Sequence, residues 1–190
     1  APDTPAHTAM AFGRSWAGKT LVRIDSVEGI TSAAAAPMTA REAMLNLLAK
    51  RDDPNSHGRQ MPSHWGNTAR KVVTQSSVVT TQFLHAAGIG LAAKLRKDPI
   101  VVMACCGEGS TSRGDFHEAL NFASIHRLPV IFFVQNNGYA ITEKNEKEMA
   151  VEHVADRKRA YNMQGAVVDG MDAIAVYQTV RPAVDEARKG

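Results

Sequence analysis

At 190 residues the chain is long enough to bury one good core, and 44% apolar with 22% charged residues is ordinary globular composition. A net charge of +3 and a pI near 9.0 are mild, and with no dense Lys/Arg run they argue against a nucleic-acid-binding face. No apolar run reaches membrane-spanning length, the first residues do not read as a signal peptide, and the adjacent Cys105 and Cys106 in an apolar stretch suit packing in a reducing compartment better than a disulfide framework.

The first periodic element is a helix over Met38–Lys50. Thr39 and Glu42 form a capping-box pair, and Met44, Leu45, Leu47 and Leu48 are expected to make its apolar contacts. A polar loop follows over Asp52–Asn67. Thr81–Arg96 reads as a helix whose small residues (Ala86, Ala87, Gly88, Gly90, Ala92, Ala93) would admit another backbone closely. Pro99 precedes a strand over Ile100–Cys105, and Pro129 precedes one over Val130–Val134. Both are continuous apolar runs, the mark of strands covered on both faces. Between them a helix opens near Arg113–Leu120. After Asn137 a polar stretch to about Asn162 is expected to hold a loop and a short helix. A strand at Ala166–Val168, a turn at Asp169-Gly170 and a helix over Asp172–Arg188 close the pattern. This alternation predicts an α/β fold, a mostly parallel sheet with helices on both faces.

The chemistry concentrates where two strands end. The first strand runs into Gly107-Glu108-Gly109 and the second into Asn136-Asn137, with 26 residues between Gly109 and Asn136. That gap suits one βαβ crossover, which would set the two strand ends side by side. Glycines allow a sharp turn and close approach to a ligand, and the N–H groups opening the next helix favour an anion such as a diphosphate. Mg²⁺ prefers hard oxygen donors, which the Glu108 carboxylate, the Asn137 amide oxygen and a nearby carbonyl could supply. In open α/β sheets this carboxyl edge is where ligands bind.

The stretch GEGSTSRGDFHEALNFASIHRLPVIFFVQNNGYAIT resembles the thiamine-diphosphate motif in the alpha subunit of the decarboxylating component of 2-oxoacid dehydrogenases. Asp53–Gly66 (DPNSHGRQMPSHWG), Thr74–Ala92 (TQSSVVTTQFLHAAGIGLA) and Val167–Arg188 are similar to three further segments of that subunit, in the same order. The first of these leans toward the branched-chain (2-oxoisovalerate) enzymes. The resemblance implies a thiamine-diphosphate-binding fold in which Glu108 and Asn137 hold Mg²⁺ by side chain and Tyr139 by its carbonyl. It implies that Gly107, Gly109 and Ser110 contact the diphosphate and that Ser77 and Val79 line the cofactor. Ser76, Val78, Thr81 and Gln82 would match a loop that encloses K⁺ in some relatives, although the family usually has proline where this chain has Val78. No residue is assigned a catalytic role. The implied reaction is oxidative decarboxylation of a 2-oxoacid with acyl transfer to lipoyl on the acyltransferase component. A beta subunit, in an α₂β₂ assembly, would complete the enzyme, and the alpha chain alone would be inactive. The compartment would be the cytoplasm in a bacterium and the mitochondrial matrix in a eukaryote.

Residues 1–36 match the family poorly. Where relatives carry Tyr-Tyr-Arg-Asp to grip the diphosphate, counting back from Met38 gives Ser26-Val27-Glu28-Gly29, and an acidic Glu28 would repel that ligand. The absent initiator methionine, and an end that precedes the family's histidine-bearing loop, suggest one domain over 1–190 that is a fragment of a longer subunit. A pyruvate or acetoin enzyme subunit and a degenerate, non-catalytic assembly subunit are the alternatives. Blander roles suit the remaining polar residues: His64 in loop packing or at the surface rather than facing the active-site cleft, His85 in structure or at a subunit contact, His117 at an interface rather than in catalysis, Asp115 at a helix N-terminus, and Ser77 not as a nucleophile, since no local pattern places a base beside it.

Overall fold

The computed structural model describes residues 8–12, 20–24, 39–61, 64, 66–69, 71–74 and 76–189. Two strands, β1 (Thr8–Phe12) and β2 (Thr20–Ile24), precede helix α1 (Ala40–Leu47) and the long helix α2 (Thr81–Arg96). Strand β3 (Ile100–Gly107) runs through a 3-10 turn (Glu108–Ser112) into helix α3 (Gly114–Ile125), and β4 (Val130–Asn136) follows. A small hairpin of β5 (Tyr139–Ala140) and β6 (Glu143–Lys144) leads to the short helix α4 (Asn145–Glu148) and a second 3-10 segment (Val154–Tyr161). Strand β7 (Ala166–Asp169) and helix α5 (Ala173–Ala187) complete the order.

The sheet runs β2-β3-β4-β1-β7. β2, β3 and β4 pair in parallel, whereas β1 is antiparallel to both β4 and β7. The sheet is therefore mixed, with four strands in one direction and β1 reversed. Neither β1 nor β2 belongs to the sequence expectation. Seven residues separate them in sequence, fewer than the dozen or so that a crossover between parallel strands needs, and the two strands run in opposite directions.

Because side chains alternate across a strand, β3 and β4 divide their apolar residues between two cores. Val102, Ala104, Cys106, Val130, Phe132 and Val134 face α2 and α3, where Phe83, Ala86, Phe116 and Leu120 are fully buried. The Phe83 ring lies 4.8 Å from that of Phe132 and 5.8 Å from that of Phe116. Val101, Met103, Cys105 and Ile131 face the other way, against Val180, Ala183, Val184 and Ala187 of α5. Helices thus cover both faces, as the unbroken apolar strands require. Both cysteines are buried, and burial together with the nearby Glu108 charge pushes the Cys106 thiol far up.

Small residues on α2 differ in their surroundings. A Cβ on Gly90 would lie 2.6 Å from Val130 Cγ2, so Gly90 brings the helix down onto β4 within this chain. A Cβ on Gly88 would meet nothing within 4 Å.

The Thr39 capping box is present: Glu42 N donates to Thr39 Oγ1 at 3.2 Å and Thr39 N to Glu42 Oε2 at 2.8 Å. The expected apolar face of α1 is corrected, since Met44, Leu47 and Leu48 are exposed and the buried residue is Asn46. A hydrophobic stripe gives a helix a preferred face without saying what covers it. Asn46 instead donates through Nδ2 to Asp53 Oδ2 at 3.2 Å, tying α1 to the polar loop.

Asp53 is fully buried at the centre of that loop. Its carboxylate accepts from Asn55 N (3.0 Å), Asn55 Nδ2 (3.0 Å), Ser56 N (3.0 Å) and Ser56 Oγ (2.7 Å). Burial pushes its pKa up, but the donors from Asn55, Ser56 and Asn46 outweigh this and bring it from 3.8 down to about 2. A carboxyl depressed in the folded state stabilises fully above its unfolded value and loses that contribution as pH falls through the folded one. Titrating stability downward from pH 4 to pH 2 should remove up to about 2 kcal/mol, and Asp53→Asn should flatten that part of the curve.

Candidate functional site

The register of β3 on β4 builds the site. Gly107 lies opposite Gln135, so Glu108, the residue after β3, and Asn136, the last residue of β4, come side by side at the carboxyl edge of the sheet. Glu108 is 1% exposed. Its Oε2 accepts from Asn137 N at 3.3 Å, while its Oε1 is buried without a hydrogen-bond partner. A buried carboxylate oxygen with no donor is costly unless a cation meets it.

The two asparagines divide their work. Asn136 is buried, and its Oδ1 accepts from Gly138 N (2.9 Å) and Asn145 Nδ2 (2.8 Å), fixing the turn at Gly138, where φ is +84°. Asn137 is half-buried, and its Oδ1 accepts from Tyr139 N at 2.9 Å. One Asx turn therefore fixes Asn137 and Tyr139 together beside Glu108. Among the described residues no group of three His, Cys, Asp or Glu side chains forms a metal cluster. A cation at this edge would be held by one carboxylate with amide and carbonyl oxygens, a hard donor set that suits Mg²⁺.

The glycines differ as well. A Cβ on Gly107 would meet nothing within 4 Å, leaving open space for a ligand to approach the backbone. A Cβ on Gly109 would lie 2.4 Å from Ala140 Cβ, so Gly109 lets the 3-10 turn press against β5. Ser110, one residue on, accepts at its carbonyl from Thr80 Oγ1 at 2.6 Å.

That bond joins the turn to the loop ahead of α2. Thr80 is fully buried and has φ +73°, an unfavourable conformation for a β-branched residue. Before it, Ser76 Oγ accepts from Val78 N at 3.1 Å, and Val78 and Val79 are exposed by 53% and 46%. Beyond it, Thr81 Oγ1 donates to Asp115 Oδ2 at 3.5 Å, at the start of α3. Gln82 is buried, donating through Nε2 to Cys105 O at 3.3 Å, with its Oε1 unpartnered. The structure thus brings the Ser76–Gln82 segment against the Glu108 turn through Thr80, a residue that sequence reasoning did not single out.

Two histidines make hydrogen bonds to residues distant in sequence. His64 is buried, and its Nε2 is hydrogen-bonded to Ser77 Oγ at 2.5 Å, so Ser77 does have an imidazole beside it. The pairing spans 13 residues of loop, beyond any local pattern. His117 makes its contact within the chain, Nδ1 to the Tyr161 hydroxyl, and burial with the nearby Arg157 holds the imidazole below its ordinary pKa. Ser26-Val27-Glu28-Gly29, like Pro62, Ser63 and Trp65, lies outside the described residues.

The family described as dehydrogenase E1 component matches residues 29–190. The chain is 49% identical over 153 residues to the 2-oxoisovalerate dehydrogenase subunit alpha of Bacillus subtilis (strain 168), covering 80% of this chain and 46% of that protein. It is 40% identical over 130 residues to the mitochondrial 2-oxoisovalerate dehydrogenase subunit alpha 1 of Arabidopsis thaliana, covering 68% and 28%. Identity is 42% over 113 residues to the pyruvate dehydrogenase E1 component subunit alpha of Staphylococcus aureus (strain Mu50), covering 60% and 30%. The chain spans less than half the length of these relatives.

Proposed function

From the premise that the chain belongs to the dehydrogenase E1 component family, we propose that it is the cofactor-gripping part of the alpha subunit of a 2-oxoacid dehydrogenase, with a thiamine-diphosphate-binding fold. The observation that carries this reading is the Glu108 carboxylate, buried with Oε1 unpartnered at the carboxyl edge of the sheet. A diphosphate beside that carboxylate would be repelled without a divalent ion between them. Glu108, Asn137 and the Tyr139 carbonyl would hold Mg²⁺, the open face of Gly107 with Ser110 would receive the diphosphate, and Ser77 and Val79 would line the cofactor. The chemistry supplied when thiamine diphosphate is bound is stabilisation of the carbanion left as a 2-oxoacid loses CO₂. The chain's own contribution is binding and orientation. Asn136 fixes the turn that presents Asn137, Gly109 admits the β5 turn, and His64 orients the Ser77 hydroxyl. The buried, unpartnered Gln82 Oε1 supports a K⁺ ion beneath the loop, with Ser76, Val78 and Thr81 as its companions.

A branched-chain 2-oxoacid is the favoured substrate, because two of the relatives described above carry 2-oxoisovalerate in their names. Likeness to a pyruvate dehydrogenase subunit supports pyruvate as the second reading. A beta subunit in an α₂β₂ heterotetramer and a lipoyl-bearing acyltransferase component are the partners proposed. The compartment is the cytoplasm or the mitochondrial matrix according to source.

Calorimetric titration of thiamine diphosphate into the assembly, with and without Mg²⁺, is expected to give saturable binding only with the metal. Binding unchanged by chelation would remove Glu108 and Asn137 as metal ligands. Turnover of 3-methyl-2-oxobutanoate should exceed that of pyruvate, and the reverse order would move the assignment to the pyruvate enzymes.

A further inference from the structure

Arg157 sits in the run Asp156-Arg157-Lys158-Arg159, which in sequence resembles any solvated charged segment. The fold takes it out of that role. The 3-10 segment Val154–Tyr161 packs against α3, and Val154 and Ala155 are buried there. Arg157 is half-buried with its guanidinium over the Phe116 ring, 5.9 Å from the centroid. Its Nη1 donates to the Thr111 carbonyl at 2.8 Å and to Thr111 Oγ1 at 3.0 Å. Thr111 is fully buried, and its hydroxyl donates in turn to the Glu108 carbonyl at 2.7 Å.

These bonds form one line from the guanidinium through Thr111 to the backbone of Glu108. The other end of the same residue is the carboxylate with the unpartnered oxygen. Resting on the thiamine-diphosphate reading above, we propose that Arg157 is a positioning residue for the cofactor's phosphate end, fastening the Glu108–Ser112 turn so that Glu108 and Ser110 are presented in register with Asn137. It touches neither metal nor substrate in this scheme. Groups that orient a metal ligand from behind are typically worth about 10–100-fold in affinity, and here the oriented ligand is the buried carboxylate. Lysine can replace the charge and donate to Thr111, but it lacks the planar fork that lies over Phe116.

The test uses the complete assembly with its partner subunit and titrates thiamine diphosphate in the presence of Mg²⁺. Arg157→Met should weaken binding about 10–100-fold, while kcat at saturating cofactor stays within about twofold of wild type; Arg157→Lys should restore most of the affinity. Thr111→Val, which keeps the buried volume and removes the hydroxyl relay, should weaken binding in the same direction by about 3–10-fold. If Arg157→Met does not assemble, Thr111→Val decides: weakened binding supports the relay, and wild-type affinity overturns it. A fall in kcat with unchanged cofactor affinity would also overturn it, since a positioning role at the phosphate end acts on binding. Wild-type assembly that shows no Mg²⁺-dependent binding refutes the parent reading and the inference with it. Wild-type binding that both variants share unchanged refutes the inference alone.

Discussion

Glu108→Gln should weaken Mg²⁺-dependent thiamine diphosphate binding at least about 100-fold and, in the same protein, leave the cofactor-free assembly as stable as wild type or more so. The groups behind a ligand are alone worth about 10–100-fold, so losing the ligand's charge should cost no less. The stability term has the opposite sign. Glu108 is 1% exposed with one oxygen unpartnered, and a buried charge without a counter-ion is destabilising. Glutamine keeps the shape and removes the charge. A rise of a few degrees in unfolding midpoint would correspond to about 1 kcal/mol for a chain of this size. A purely structural glutamate predicts the reverse, lower stability with binding intact, and that pair of results would end the metal assignment.

Gly109→Ala tests the other wall of the site. Gly109 is not among the positive-φ residues, so alanine is conformationally acceptable and the whole effect is steric. The new Cβ would lie 2.4 Å from Ala140 Cβ and 3.2 Å from Ala140 Cα. Relieving that overlap must push the Glu108 turn away from the hairpin that carries Tyr139, at a cost of about 1–3 kcal/mol. Small displacements of positioned groups are expensive in function, and cofactor affinity should fall about 10–100-fold. Ala140→Gly in the same chain removes the closer contact and should recover most of the loss. If the single variant binds as well as wild type, close packing of turn on hairpin does not shape the site.

Much of this architecture is legible in the sequence, and the reasons are specific. The helix over Thr81–Arg96 has the expected bounds, and the two buried strands begin where Pro99 and Pro129 place them. The Thr39–Glu42 pair caps as its spacing implies, because a capping box is satisfied within four residues. The meeting of Glu108 with Asn137 follows from strand ends and crossover length alone, and the register realises it. What the sequence hides depends on chain segments far apart. His64 reaches Ser77 across 13 residues and Arg157 reaches Thr111 across 46, and neither pairing leaves a periodic trace. Exposure fails for a related reason. Met44, Leu47 and Leu48 have the spacing of a core face, yet the partner that α1 finds is the Asp53 loop. Strands β1 and β2 arise where no family pattern guides the reading, and the strands they pair with, β4 and β3, lie far along the chain.

Thr80 has a consequence of its own. A buried β-branched residue at φ +73° lowers the stability of the fold by about 1–3 kcal/mol, and glycine would relieve most of that while losing the 2.6 Å bond to Ser110. Keeping threonine holds two loops docked at the expense of the resting protein. Part of the ordering that binding would otherwise have to impose is thus met by the fold itself, with Thr80 working as a latch between the two loops rather than as a hinge.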